Sequence, residues 1–203
     1  ALNNKIKIIY SASSSVIGNN GLDENLSPYA WTKAKNIELI KNYNKWFGLK
    51  YEIVYFYNVY GPGQDLSRTD QGIVSIFLDL IRNRNKINVN GSLKRFRDLV
   101  YIDDVVESLV LLIKNRKYPN QIYNVGTGKK TTIKKLVKSI ARIYEKEKKL
   151  KISTSNPTPG DVLGCYADIK KISKHLKFKP KTNLQKGLKI FSQWAEKNYY
   201  SNK

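Results

Sequence analysis

Short apolar runs, rich in β-branched and aromatic residues, alternate along this sequence with longer segments of helical periodicity. The runs at 7–11, 51–57 and 121–125 have the length and composition of buried strands. Strands that alternate with helices form a mostly parallel sheet with right-handed crossovers. The alternation therefore predicts an α/β fold.

The sequence also marks where its helices begin and end. Ser27 is placed as an N-cap, Pro28 at the first helical position and Gly48 as a C-cap, which predicts a helix over 28–47. Asp103 and Thr131 are predicted to cap two further helices. The helix after Asp103 is expected to pack through one apolar face, made of Val105, Val106, Leu109, Leu112 and Ile113.

Composition narrows the class of protein. The chain has 203 residues, 41% of them hydrophobic, which is enough for a buried core. No apolar run approaches the roughly 18 residues that cross a bilayer, so no membrane segment is expected. The single Cys165 cannot form an internal disulfide, which fits a reducing compartment and predicts a cytoplasmic protein.

A net charge of +21 is typical of proteins that bind an anionic partner, so it needs an explanation. Lysines are spread along the chain, as on solvated faces, and no zinc-finger spacing or RNA-binding aromatic motif accompanies them. Only the charge favours a nucleic-acid-binding module, and no nucleic-acid partner is expected.

Tyr29 and Lys33 stand four residues apart on the predicted helix and therefore face the same way. An ammonium group beside a phenol stabilises the phenolate, which is the form that acts as a general base. In a sequence this rich in Lys and Tyr such a pair also arises by chance, so its context decides its meaning.

That context is an ordered set of motifs. They are Tyr10-Ser-Ala-Ser-Ser-Ser-Val-Ile-Gly18, Phe56-Tyr-Asn-Val-Tyr-Gly-Pro-Gly63, Arg95-Phe-Arg-Asp-Leu-Val-Tyr-Ile-Asp-Asp104, Tyr123-Asn-Val-Gly-Thr-Gly128 and Pro159-Gly-Asp161. From about residue 7 to about residue 187, the chain resembles the extended short-chain dehydrogenase/reductases, specifically the NAD-dependent epimerase/dehydratase group. The resemblance implies a partial Rossmann-like, doubly wound parallel sheet over 1–58 and 98–130. It also implies a small α+β substrate-binding lobe over 59–97 and 131–203.

The resemblance assigns roles by position. It implies that Ser13, Tyr29 and Lys33 are catalytic. NAD would be held by Tyr29, Lys33 and Tyr57, and a nucleotide-diphosphate sugar by Ser13, Asn58, Arg97 and Asp161. No metal site is implied. Relatives commonly pair through the helix that carries the Tyr, so a homodimer is expected.

The glycine-rich turn that opens a dinucleotide-binding fold is absent from these 203 residues. There is also no Met. Both observations lead to the expectation that the amino-terminal half of the Rossmann domain is missing.

Two residues narrow the reaction. In similar sugar 4,6-dehydratases, Asp and Glu follow the catalytic hydroxyl residue, whereas here Ser14 and Ser15 do. A serine hydroxyl transfers protons poorly near neutral pH. The sequence therefore resembles a 4-epimerase of a UDP-sugar. The alternatives are a dehydratase or reductase of the same family, and a truncated, non-catalytic remnant or partner subunit.

Overall fold

The computed structural model describes residues 1–17, 27–68, 72–157 and 163–201. Its strands are β1 Ile8–Ser13, β2 Tyr51–Phe56, β3 Asn58–Tyr60, β4 Lys86–Asn90, β5 Phe96–Arg97, β6 Leu99–Tyr101, β7 Gln121–Val125, β8 Thr131–Thr132, β9 Lys151–Ser155 and β10 Gly164–Cys165. Its α-helices are α1 Pro28–Phe47, α2 Ile73–Asn83, α3 Ile102–Lys114, α4 Ile133–Ile143, α5 Lys170–Leu176 and α6 Leu184–Ala195. A 3₁₀ turn at Ser14–Ile17 follows β1, and a π-helical turn at Glu196–Tyr200 follows α6.

A parallel sheet with helices on both faces forms the first layer. Its strands lie in the order β1-β2-β7, and both pairings are parallel. Alternate residues of β2 face opposite sides, so Ile53 packs in the cluster that holds Ile37 of α1. Val54 packs on the other side with Val105 of α3 and Ile172 of α5. The predicted α/β fold with a parallel sheet is confirmed.

Helix α1 has the bounds that its sequence signals predict. The Ser27 side chain accepts a hydrogen bond from the Ala30 N–H at 3.1 Å, and Pro28 occupies the first turn. Gly48 ends the helix in the left-handed conformation, at a φ of 67°. Lys33 of α1 donates to the Ser11 carbonyl of β1, which places the amino-terminal part of α1 beside this strand.

Two predicted caps were wrong. Helix α3 begins at Ile102 after Tyr101, with no side-chain cap, and Asp103 lies within its first turn. Helix α4 is capped by Thr132, whose side chain accepts from the Lys135 N–H, and not by Thr131. Thr131 pairs with Arg97 in a short antiparallel ladder, which occupies its backbone.

The predicted apolar face of α3 was also partly wrong. Val105 and Leu112 are buried as expected, but Val106 and Ile113 are exposed. Ser108, which was not part of the predicted face, is buried, and its hydroxyl donates to the Val105 carbonyl at 2.7 Å.

A second core lies around helices α2, α4 and α6. Side chains from these helices, such as Leu78, Leu136 and Phe191, form one buried cluster with residues of β4 and β6. We propose that this cluster is the substrate-binding lobe. Ile172 and Phe178 lie in the stretch assigned to that lobe but pack against the sheet, so we place α5 with the sheet layer.

Within the described residues, no helix is both long and apolar enough to span a membrane.

Candidate active site

The carboxyl ends of β1 and β2 open into a cavity of about 440 Å³. Ser13 and Phe56 are the last residues of these strands and are paired partners in the sheet. The first turn of α1 brings Tyr29 to the same opening. The polar residues that line the cavity are Ser11, Ser13, Tyr29, Tyr57, Asn58 and Gln64.

Lys33 stands beside this cavity and next to Tyr29. Its Nζ donates to the Ser11 carbonyl at 2.7 Å, which fixes the side chain across the end of β1. The same Nζ lies 5.7 Å from the centre of the Tyr29 ring. Tyr29 is 56% exposed, so its phenol is open to a ligand while its partner cation is held by the backbone.

The three consecutive serines have different surroundings. Ser13 Oγ accepts from the Ser15 hydroxyl at 2.9 Å and from the Ser15 N–H at 3.2 Å. Because both of these bonds use the lone pairs of Ser13, its own hydroxyl hydrogen is left to donate to a ligand. The Ser14 side chain is buried and donates to the sulfur of Cys165. Burial raises the pKa of the Cys165 thiol, and this hydrogen bond opposes the increase.

Asn58 and Tyr57 form another wall of the cavity. The Asn58 backbone N–H and side-chain Nδ2 both donate to the Asp98 carbonyl, at 3.0 and 3.2 Å. Tyr57 is buried, and burial raises the pKa of its phenol far above the ordinary value. Tyr57 therefore stays protonated, unlike a residue that must act as a base.

Arg97 lies on β5, beside Cys165 of β10, and does not line this cavity in the described part of the chain. Its Nη1 donates to the Phe96 carbonyl at 2.8 Å. Burial and then the nearby Arg95 guanidinium lower the pKa of Arg97. Two cations held close together favour an anionic ligand between or beside them. Asp161, the remaining predicted substrate residue, lies outside the described residues.

His175 and possible metal ligands bear on other kinds of site. His175 stacks on Tyr118 at a ring-centre distance of 4.0 Å, and its Nδ1 lies 3.1 Å from the Tyr123 hydroxyl. His175 therefore packs against Tyr118 and Tyr123 and does not line the cavity. In the described ranges, no group of three or more His, Cys, Asp or Glu side chains could hold a metal ion.

Sequence reasoning missed Gln64, which lines the cavity directly after the Gly61-Pro62-Gly63 turn. The signal available in the sequence was its position immediately after the motif that ends at Gly63. A glutamine after a turn is ordinary on a protein surface, so only the fold shows where its amide lies.

Known proteins resemble this chain in sequence and in structure. A model of the NAD dependent epimerase/dehydratase family matches residues 1–126. A putative UDP-glucose 4-epimerase of Methanocaldococcus jannaschii is 34% identical over 191 residues, which cover 87% of this chain and 57% of that protein.

Two solved structures have the same arrangement of elements. The Thermotoga maritima UDP-glucose 4-epimerase with UDP-glucose has a TM-score of 0.84 and 29% identity, over 94% of this chain and 63% of that one. The Methanobrevibacter ruminantium UDP-N-acetylglucosamine 4-epimerase, in complex with UDP-N-acetylmuramic acid, has a TM-score of 0.86 and 29% identity. That match covers 97% of this chain and 65% of the other. The chain thus spans a little under two thirds of the length of these relatives.

Proposed function

The chain belongs to the NAD dependent epimerase/dehydratase family. We propose that it epimerises a nucleotide-diphosphate sugar, namely a UDP-sugar, at C4. One observation carries the proposal: Ser13, Tyr29 and Asn58 line a single cavity, with Lys33 fixed beside it. The names of the relatives, which are UDP-sugar 4-epimerases, support the choice of UDP and of C4.

Tyr29 is assigned as the base that takes the proton of the sugar hydroxyl during oxidation and returns it during reduction. Its exposed phenol can meet a hydroxyl in the cavity. Lys33 stabilises the phenolate, because the Ser11 carbonyl holds its ammonium group near the ring. Ser13 orients the hydroxyl by donating the hydrogen that its bonds with Ser15 leave free.

NAD, when bound, supplies the acceptor and donor of hydride for this chemistry. The residues present fit its nicotinamide end, since Tyr29 and Lys33 stand together at the open mouth of the cavity. We assign Tyr57 to the wall on that side, where its buried phenol can donate a hydrogen bond without ionising.

The diphosphate is assigned to Arg97, with Asn58 and Asp161 as further substrate residues. A planar guanidinium fits a diphosphate through paired hydrogen bonds. Arg97 is next to Asp98, whose carbonyl holds Asn58. The cation is therefore the chain neighbour of the residue that holds this part of the cavity wall.

The surroundings of Ser14 and Ser15 favour epimerisation over elimination of water. A dehydratase needs an acid and a base at these two positions. The Ser14 hydroxyl is directed at a buried thiol, and the Ser15 hydroxyl is directed at Ser13. Neither can act as the proton donor or acceptor of a dehydration.

We also propose that the protein forms a homodimer through α1. Leu39, Tyr43, Trp46 and Phe47 are exposed on this helix at spacings that place them on one face. The three aromatic rings contact one another, with the Tyr43 and Phe47 centres 5.4 Å apart. A continuous exposed apolar face of this kind marks a protein interface.

The catalytic assignment is tested with Tyr29→Phe in the protein expressed from the complete reading frame and supplied with NAD. We expect the interconversion of UDP-glucose and UDP-galactose to slow by roughly a thousandfold, because general-base catalysis is lost. Binding of the UDP-sugar should change little, since the phenol acts mainly in the transition state. The ratio of the two sugars is followed by chromatography.

Tyr118→Phe is the control, because it removes a tyrosine hydroxyl away from both the cavity and the proposed α1 interface. Its rate should equal that of the parent. Nearly full activity in Tyr29→Phe would show that another group is the base. Net formation of NADH from NAD and UDP-glucose, in place of interconversion, would identify an oxidoreductase of the same family instead.

A further inference from the structure

The Gln64 side chain is held at the cavity wall by a turn and by the start of α2. Its backbone N–H donates to the Gly61 carbonyl at 3.3 Å, closing the turn that follows β3. Gly72, at a φ of 76°, passes so close that a Cβ there would collide with Gln64 Nε2 and with Ser75 Oγ. The amide is therefore confined between the turn and the first residues of α2.

One end of this amide is not satisfied. Gln64 Oε1 is buried and accepts no hydrogen bond from the protein, in the part of the chain that the structure describes. Burying an acceptor without a partner costs free energy, because its hydrogen bond to water is lost and not replaced. Such a group is rare in a folded protein and calls for an explanation, such as a role in binding.

The cavity offers that explanation. Gln64 lines the same cavity as Ser13, Tyr29 and Asn58. The last torsion of a glutamine side chain is broad and roughly two-fold, so the amide can present either its oxygen or its nitrogen to a ligand. A sugar hydroxyl or an N-acetyl amide has both a donor and an acceptor and can satisfy either orientation.

We infer that Gln64 is a specificity-determining residue that hydrogen-bonds a hydroxyl or N-acetyl substituent of the sugar ring. The inference rests on the proposed function, because it takes the occupant of the cavity to be the sugar of a nucleotide-diphosphate sugar. A site with a buried polar group discriminates strongly against a ligand that leaves this group unpaired. Gln64 therefore selects for the sugar and contributes nothing to the nucleotide.

The test separates the sugar from the nucleotide. Binding of UDP and of UDP-glucose to the 203-residue chain is measured by calorimetry for the parent and for Gln64→Leu. We expect Gln64→Leu to bind UDP-glucose about tenfold more weakly, as for the loss of one well-placed hydrogen bond. Its affinity for UDP should be unchanged. Gln64→Glu keeps the shape and an acceptor oxygen but replaces the NH₂ donor with a second acceptor, so retained affinity for UDP-glucose is expected if the sugar donates to the oxygen.

The Tm of the ligand-free chain is a second measurement. It should fall in Gln64→Leu if Gln64 has a purely structural role, and should not fall if Gln64 serves in binding. Gln64→Leu removes a buried, unpartnered oxygen, so the Tm of the ligand-free chain should rise or stay the same. Gln193→Leu is the matched control, since Gln193 is exposed on α6. It should leave both affinities unchanged.

Equal weakening of UDP and UDP-glucose in Gln64→Leu, with a lower Tm, would overturn the inference and make Gln64 a structural residue. So would a parent preference for UDP-glucose over UDP that persists in full in Gln64→Leu. A parent chain that binds neither UDP nor UDP-glucose would instead overturn the proposed function, and with it the basis of the inference.

Discussion

The Asp98 carboxylate is fully buried and is held by hydrogen-bond donors from two distant segments. The Thr127 N–H and Gly128 N–H each donate to it at 2.8 Å, and the Ala167 N–H donates at 3.1 Å. The Thr127 hydroxyl is a further donor. Because the Asp98 carbonyl also receives both bonds from Asn58, this residue joins the sheet, the loop after β7 and the cavity wall.

Asp98→Asn is expected to reduce the free energy of unfolding by on the order of 3 kcal/mol. The amide keeps one acceptor oxygen, and its NH₂ group is directed at backbone donors that have no acceptor to offer. Gly126 lies too close to Asp98 for the side chain to be displaced in that direction. Urea unfolding followed by circular dichroism measures the change.

Asp103→Asn is the control for this prediction. Asp103 is exposed in the first turn of α3, so the same chemical change should alter stability by less than about 0.5 kcal/mol. Equal effects of the two substitutions would mean that the Asp98 bonds add nothing beyond the general electrostatics of the chain.

Sequence reasoning found some of these residues and not others, for a physical reason. The ordered motifs, through the family resemblance that they carry, led to the expectation that Ser13, Tyr29 and Asn58 share one site, and all three line one cavity. Asp98 entered only as the neighbour of Arg97, and Gln64 did not enter at all. Their importance depends on burial by residues far away in the sequence, such as Ala167 and Gly72. His175 likewise stacks on Tyr118, which is far from it in the sequence.

At the scale of elements, local sequence signals predicted the bounds of α1 correctly but did not predict the buried face of α3. The bounds of α1 depend on Ser27, Pro28 and Gly48, which act on their own backbone. The buried face of α3 depends on what packs against it. A helix with apolar residues on more than one side offers several candidate faces, and the structure buries Ser108 while it leaves Val106 exposed.

The exposed apolar face of α1 leads to a prediction about assembly. Trp46 belongs to the aromatic group and is 60% exposed, so a second copy of the helix would cover it. We expect the parent chain to have the mass of a dimer in light scattering coupled to size-exclusion chromatography. Trp46→Glu should shift it to the mass of a monomer, because the paired helices would bury two carboxylates without partners.

Gln193→Glu adds the same charge on the exposed side of α6 and should leave the mass unchanged. A parent chain that is monomeric over a wide concentration range would contradict the α1 interface. A Trp46→Glu variant that stays dimeric would place the interface on another surface.

At the scale of the whole molecule, the residues assigned to the nucleotide sugar cover more of that ligand than the residues assigned to NAD cover of the cofactor. Within the described part of the chain, the residues assigned to the sugar and the diphosphate come from β1, β3, β5 and the turn after β3. The residues assigned to NAD are Tyr29, Lys33 and Tyr57, and all of them belong to its nicotinamide end. The 203 residues contain no Gly-x-x-Gly-x-x-Gly sequence. They therefore provide no glycine-rich turn against which the pyrophosphate of a dinucleotide could rest.

The 203-residue chain by itself is accordingly expected to bind UDP-glucose but not NAD to a measurable degree. In a Rossmann fold the pyrophosphate lies on the amino terminus of the first helix, where free N–H groups and the helix dipole stabilise its charge. Without that contact, a cation such as Lys33 adds only a small part of the binding free energy. Calorimetric titrations of the same preparation with each ligand make the comparison, with UDP-glucose as evidence that the chain is folded. A micromolar dissociation constant for NAD would show that the cofactor site is built in another way, for instance across the α1 dimer.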